Sequence, residues 1–232
     1  HLILFTYRHD LRLLSLSHHF DCCMRHAVSL MVVNLHGITH QDAHMPDTQR
    51  LNIERAVSPS SQLENRAIGA LLGLACGDAI GAAVEFMPRG SFMPVTDMRG
   101  GGLHGIPAGY WTDDTSMALA LLHSLLERGS FDASHQMQQY CEWWKEGKYS
   151  STGDCFDIGG QTRSALERFQ RTQNPFAGST AAAHAGNGSL MRLAPIAIFY
   201  HRSLSNTIMY AAESSRTTHG TIACVDACKV FS

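Results

Sequence analysis

SQLENRAIGALLGLACGDAIG, residues 61–81, is the stretch from which the fold can be read. Leu63, Ala67, Ala70, Leu71 and Leu74 return at helical spacing, and Ser60 or Ser61 with Glu64 supplies a capping-box start, so a buried helix is predicted here. Gly69, Gly73, Gly77 and Gly81 recur every four residues. They leave one helix face bare of side chains, which predicts that another backbone approaches closely. Downstream, helices are predicted over 113–128, 133–146, 160–170, 189–201, 205–216 and 221–232, and MPRGSFMPVTDMRGGGLHGIPAGY (87–110) reads as a long loop. No strand-like alternation stands out. The expectation is an all-α domain, a compact multi-helix arrangement spanning 62–232.

Upstream the chain changes character. Residues 1–60 hold eight of the 14 histidines and one of the 20 glycines, while all three lysines (Lys145, Lys148, Lys229) lie beyond residue 144. This segment is expected to be an atypical extension outside the fold. Its histidines lack a repeated spacing and read as scattered loop residues rather than metal ligands. The chain opens on His1, which suggests a fragment, a processed product or read-through of upstream sequence, with Met45 a plausible start.

With 232 residues, one large domain or one domain plus an appendage fits. Lys+Arg 18 against Asp+Glu 20 gives a net charge of −2, so there is no overall positive field for a nucleic acid backbone or an anionic membrane. Charged residues are only 16% and hydrophobic ones 44%, enough apolar material for a sizeable core. No apolar run reaches the roughly 18 residues of a membrane span. The seven cysteines show no CxxC pair and predict reduced thiols in a cytoplasmic protein, with Cys224 and Cys228 as small core residues.

The chemistry is concentrated in short strings. Gly109-Tyr-Trp-Thr-Asp-Asp-Thr115 puts oxygen donors directly before an apolar helix. Adjacent Asp113 and Asp114 beside Thr112 suit a hard cation such as Mg²⁺ or Mn²⁺; equally, Thr112 is a good N-cap and acidic residues favour a helix start. In GDAIGAAVEF (77–86), Asp78 reads as a cap or loop anchor and Glu85 as a functional candidate among small apolar residues. Gly186, Asn187, Gly188 and Ser189, with Arg192 nearby, form a turn opening a predicted helix, suited to an anion or simply structural. Asp157 precedes a helix, and His219 ends a loop where it could stack or carry a proton.

Taken together and in order, GALLGLACGDAIGAAVEF, GYWTDDTSMALAL, FDIGGQTRSAL, GNGSLMRLAPIAIFY and SSRTTHGTIACVDAC resemble the ADP-ribosylglycohydrolase family, the group that includes dinitrogen reductase-activating glycohydrolase. The resemblance runs from about Arg66 to the last residue. It implies an all-α fold around a dinuclear Mg²⁺ or Mn²⁺ site and hydrolysis of a bond to the anomeric carbon of ADP-ribose. It also implies an ADP-ribosylated protein, arginine-linked by preference, or an ADP-ribosyl small molecule as substrate. Thr112, Asp113 and Asp114 match metal ligands, with Asp113 and Asp114 counted as catalytic together with Glu85. Asp157, Gly186, Asn187, Gly188, Ser189 and His219 match positions that hold the substrate.

One departure carries weight. The family's second acidic motif, D-x-D-T, is absent; the one Asp-Thr pair outside the 113–115 stretch is Asp47-Thr48. A C-terminally truncated chain or a degraded copy is therefore expected, with about half of the metal ligands and weak metal binding. The alternative is a catalytically dead or crystallin-like relative that binds ADP-ribose or is structural. Truncation is further expected to leave apolar surface exposed on the helices predicted over 113–128 and 189–201.

Overall fold

The structure is a computed structural model that describes residues 61–232; the expectations for residues 1–60 lie outside the described residues. Seven α-helices follow there: α1 (Gln62–Gly81), α2 (Asp113–Arg128), α3 (Ala133–Glu146), α4 (Gly160–Thr172), α5 (Ala194–Phe199), α6 (Leu204–Thr218) and α7 (Ile222–Phe231). No strand forms among the described residues, only the isolated bridges Gly101–Ile106 and Ser179–His219.

The run MALALLHSLL (117–126) is apolar around nearly its whole circumference, and such a helix has to sit at the centre of its fold. It does. Met117 and Ala120 pack with Met137, Tyr140 and Trp143 of α3 and with Leu166 and Phe169 of α4. Leu119 and Leu122 meet Ala67, Leu71 and Ala75 of α1 beside Trp111. Leu121 and Leu125 meet Ile196, Ala211 and Cys228. The expectation of apolar surface on α2 is therefore wrong, because three groups of neighbours cover the run and leave only His123 and Leu126 partly exposed. The exposed apolar residues lie elsewhere, notably Ile222, Val230 and Phe231 on α7.

The helix ends follow local chemistry. Ser61 Oγ accepts the Glu64 N–H at 3.2 Å, Asp132 caps α3 through the His135 N–H, and Gly129 and Gly147 close α2 and α3 in the left-handed conformation. Ser61→Ala is expected to lower stability by about 1 kcal/mol, measured by urea unfolding, since one N–H at the start of α1 loses its acceptor.

Two sequence expectations need correcting. The helix predicted over 189–201 is limited to α5: Asn187 O takes the N–H of both Leu190 and Met191 in tight turns, and Pro195 sits in the first turn of α5. Proline has no N–H and its ring collides with the carbonyl four residues back, so a helix cannot run through it from residue 189. The second concerns α1. Its buried face is Glu64, Ala67, Ile68, Leu71, Ala75 and Ala79, and a Cβ at Gly69, Gly73, Gly77 or Gly81 would meet nothing within 4 Å. Among the described residues no backbone packs on the glycine face.

Residues 87–110 form the predicted loop, which turns back onto the end of α1. Gly102 (φ +65°) makes that approach possible, because a Cβ there would stand 2.1 Å from Ala82 O. All five cysteines in the described residues are free, with Cys224 and Cys228 buried as expected. No described helix is long and apolar enough to cross a membrane.

Candidate active site

The last turn of α1 places Asp78 against the first turn of α2. Its carboxylate accepts from the backbone N–H of Thr112 (3.1 and 3.0 Å to the two oxygens) and of Thr115 (3.1 Å), and from both threonine hydroxyls (2.7 Å each). Thr112 occupies the N-cap position, yet its own side chain makes no cap hydrogen bond. Asp78 does the capping instead. Its sequence reading as a cap or anchor is correct, and the reading of Thr112 as an N-cap holds for position only. The Thr112 hydroxyl, assigned to a metal by resemblance, is 3% exposed and donates to Asp78.

This clamp turns the next two carboxylates into a cleft of about 440 Å³. Glu85, Asp113, Asp114 and Asp157 supply its acidic lining, and Gly186, Asn187, Gly188, Met191 and His219 line it as well. Residues from five separate motifs thus meet. Burial and then Asp157, Asp114, Asp78 and Glu85 push the Asp113 carboxyl up to about 9. Burial followed by Asp78 raises Asp114 to about 6, and burial, reinforced by Asp78 and Glu85, raises Asp157 to about 7. Asp157 Oδ2 is buried without a hydrogen-bond partner. Burial and the crowding of negative charge thus keep a proton on Asp113 at neutral pH, while Asp114 is mostly ionised.

Across the cleft, His219 Nδ1 lies 2.9 Å from Thr218 Oγ1. Burial, with the Arg192 charge behind it, lowers its pKa to about 4, so the ring is neutral. The ring rests on the glycine turn: a Cβ on Gly188 would stand 2.5 Å from His219 Cε1. Only glycine admits this contact.

Two residues of this turn differ from expectation. Ser189 is buried, and its hydroxyl receives hydrogen bonds from the Ser215 hydroxyl (2.9 Å) and the Cys228 thiol (3.5 Å). Its side chain therefore faces α6 and α7 rather than a substrate. Arg192, thought to lie near an anion, is fully buried. Residues that sequence reasoning passed over include His104, whose Nε2 lies 3.5 Å from Glu85 Oε2 and whose ring meets Phe156 edge-on. A histidine in a glycine-rich loop gives no local sign of such a partner.

The donor chemistry fits a hard divalent cation, with four carboxylates and no cationic side chain lining the cleft. Among the described residues, however, no group of three or more His, Cys, Asp and Glu side chains is gathered so as to hold a metal ion. The oxygen ligands are here in kind, without a finished coordination sphere.

The all-α fold brings clustered carboxylates and a glycine turn into one cleft. Residues 59–232 match the ADP-ribosylglycohydrolase family, and the chain belongs to it. It is 43% identical over 175 residues to the ADP-ribosylarginine hydrolase Tri1 of Pseudomonas putida (strain GB-1), covering 75% of this chain and 47% of that protein. With the ADP-ribosyl-[dinitrogen reductase] glycohydrolase of Rhodospirillum rubrum it shares 33% identity over 165 residues, 68% of this chain and 52% of the relative. A solved structure described as an ADP-ribosylglycohydrolase-related protein complex superposes with a TM-score of 0.63 at 46% identity, over 73% of this chain and 54% of that one. The chain spans about half the length of the curated relatives it matches.

Proposed function

We propose that the whole protein to which this chain belongs hydrolyses the N-glycosidic bond between ADP-ribose and a protein side chain, arginine by preference, with Mg²⁺ or Mn²⁺ as cofactor. The observation that carries this reading is the single cleft in which Asp113, Asp114, Asp157 and Glu85 face the Gly186–Gly188 turn and His219. The names of the relatives support an ADP-ribosylarginine linkage. Asp113 and Asp114 would hold the cation, with Thr112 behind them. Bound there, it would supply Lewis acidity.

The chain's own residues supply the rest. Positive charge builds on the sugar carbon as a glycosidic bond breaks, and the carboxylates on the acidic side stabilise it. Glu85 accepts a proton from the attacking water as the C–O bond forms and the C–N bond breaks, the departing guanidine takes up that proton and leaves as guanidinium, and Asp157 faces the guanidinium or the ribose hydroxyls. Backbone N–H groups of the glycine turn suit the diphosphate, so a net charge of −2 is no obstacle. The neutral His219 ring offers a flat surface and one free ring nitrogen.

Release of ADP-ribose from ADP-ribosyl-arginine by the full-length protein, with Mn²⁺ or Mg²⁺ present, tests this reading; no release from any ADP-ribosylated substrate overturns it. A second reading is a relative that binds ADP-ribose without cleaving it. Binding without turnover would select it. In either case Gly188→Ala is expected to weaken ADP-ribose binding about tenfold in calorimetry, because the new methyl displaces the His219 ring.

A further inference from the structure

Leu103 and His104 form the tip of a tight turn in the 87–110 loop, closed by the Gly101 N–H on Ile106 O (2.8 Å) and the Gly105 N–H on Gly102 O (3.3 Å). Residues at such a tip ordinarily face water, and Leu103 does, at 70% exposure. His104 is turned inward instead. Its side chain is 17% exposed and sets Nε2 3.5 Å from Glu85 Oε2, with the ring edge-on to Phe156 at 5.4 Å between centres. The turn is seated on the stretch of chain that leads into Glu85, since Gly102 packs on Ala82 and Ala83 too closely to admit a Cβ. One histidine thus joins Glu85 to the segment that carries Asp157.

Stacking alone does not require a histidine. A phenylalanine would meet Phe156 edge to face as well and would cost less to bury; what the imidazole adds is an N–H aimed at a carboxylate, and Nε2 carries the proton because the group it faces is an acceptor. Glu85 has use for such a donor. Its side chain has three rotatable bonds and is 36% exposed, so little else keeps it from swinging out to water. The next residue, Phe86, has a left-handed backbone (φ 61°), a strained conformation for an aromatic that persists where the surroundings impose it. We infer that His104 is a positioning residue for Glu85: its N–H occupies Oε2, holds the carboxylate in the cleft and leaves Oε1 as the oxygen that meets the attacking water. The 3.5 Å separation is at the outer limit of a hydrogen bond, a length common in catalytic contacts until the ligand is in place. The inference rests on the reading of Glu85 as the base that takes the water's proton, and adds the group that aims it.

The test is made in the full-length protein with Mn²⁺ and ADP-ribosyl-arginine. His104→Phe keeps a ring beside Phe156 and removes the N–H. It is expected to lower kcat about tenfold and to leave KM, the calorimetric affinity for ADP-ribose and the melting temperature at parental values, because a misaimed base slows the chemical step without weakening binding. His104→Gln sets an amide N–H near the position of Nε2 and is expected to restore kcat to within about threefold of the parent. In a Glu85→Gln background, where kcat is already down by about 100-fold or more, His104→Phe should cost nothing further. A merely structural role would lower the melting temperature and would not be relieved by glutamine. Parental kcat in His104→Phe, an equal loss in His104→Gln, or a full second loss on top of Glu85→Gln each overturns this inference and leaves the reading of the cleft standing. His104→Leu takes the place of His104→Phe in the same comparisons should the latter not fold. Parental kcat in Glu85→Gln removes the base and this inference with it, and no release of ADP-ribose by the parent removes the reading of the cleft as well.

Discussion

Asp78→Ala is expected to lower stability by about 3 kcal/mol and to abolish any hydrolysis by the full-length protein. One carboxylate takes two backbone N–H groups and two hydroxyls from the start of α2, and Thr112 and Thr115 are 3% and 1% exposed. Hydrogen bonds to a charged acceptor contribute roughly 1.5–3 kcal/mol each, less when several share one acceptor, and water cannot replace them at a site this closed. The same clamp sets the direction of Asp113 and Asp114, so its loss reaches the chemistry as well. Asp78→Asn keeps one acceptor oxygen and sets an N–H group against donors, so an intermediate loss is expected. Urea unfolding and ADP-ribose release are the measurements. Unfolding of Asp78→Ala at the parental midpoint would show that α2 is positioned by something else.

Metal-free protein in EDTA should become less stable as pH rises, and Asp113→Asn should remove much of that slope. The sign follows from proton binding. Unfolded aspartates ionise near pH 4, whereas in the fold Asp114, Asp157 and Asp113 hold protons to about 6, 7 and 9. Between about pH 4 and 9 the folded state binds more protons than the unfolded one, so stability falls across that window and is greatest at its acid end. The cleft is partly open to water, which moderates the effect; at pH 8 the gain in Asp113→Asn is expected to be about 2 kcal/mol. An active-site substitution that stabilises would mark these carboxylates as held together against their own repulsion. Thermal melts from pH 5 to 9 decide the matter. A parental melting temperature that is flat or rises over this range would contradict it. Mn²⁺ should raise the melting temperature of the parent at pH 8 and leave Asp113→Asn unmoved.

Much of this molecule is legible in one dimension. The helices at 113–128 and 133–146 match their expected bounds, and those at 160–172, 204–218 and 222–231 differ by one or two residues, because periodicity, Asp132, Ser203, Thr221 and the closing glycines act within a few residues of chain. The family is legible too, since five motifs in order are a local property of the string. So is the candidacy of Asp113, Asp114, Asp157, Glu85, the glycine turn and His219, all of which line one cleft.

What the string left open depends on approach through space. Asp78 and Thr112 are 34 positions apart, and nothing near either one says that a carboxylate from α1 caps α2. Ser189 reads as a ligand from its neighbours, but its hydroxyl is claimed by Ser215 and Cys228 from two later helices. Arg192 reads as the neighbour of a turn suited to an anion or simply structural, and it points into the core, where Ser214, Thr217 and Tyr140 hold it. The glycine face of α1 predicts a close neighbour that the described residues do not supply. Capping and periodicity are short-range forces and declare themselves in sequence. The direction of a side chain is settled by which distant groups satisfy its polar atoms, and only the packed structure decides that.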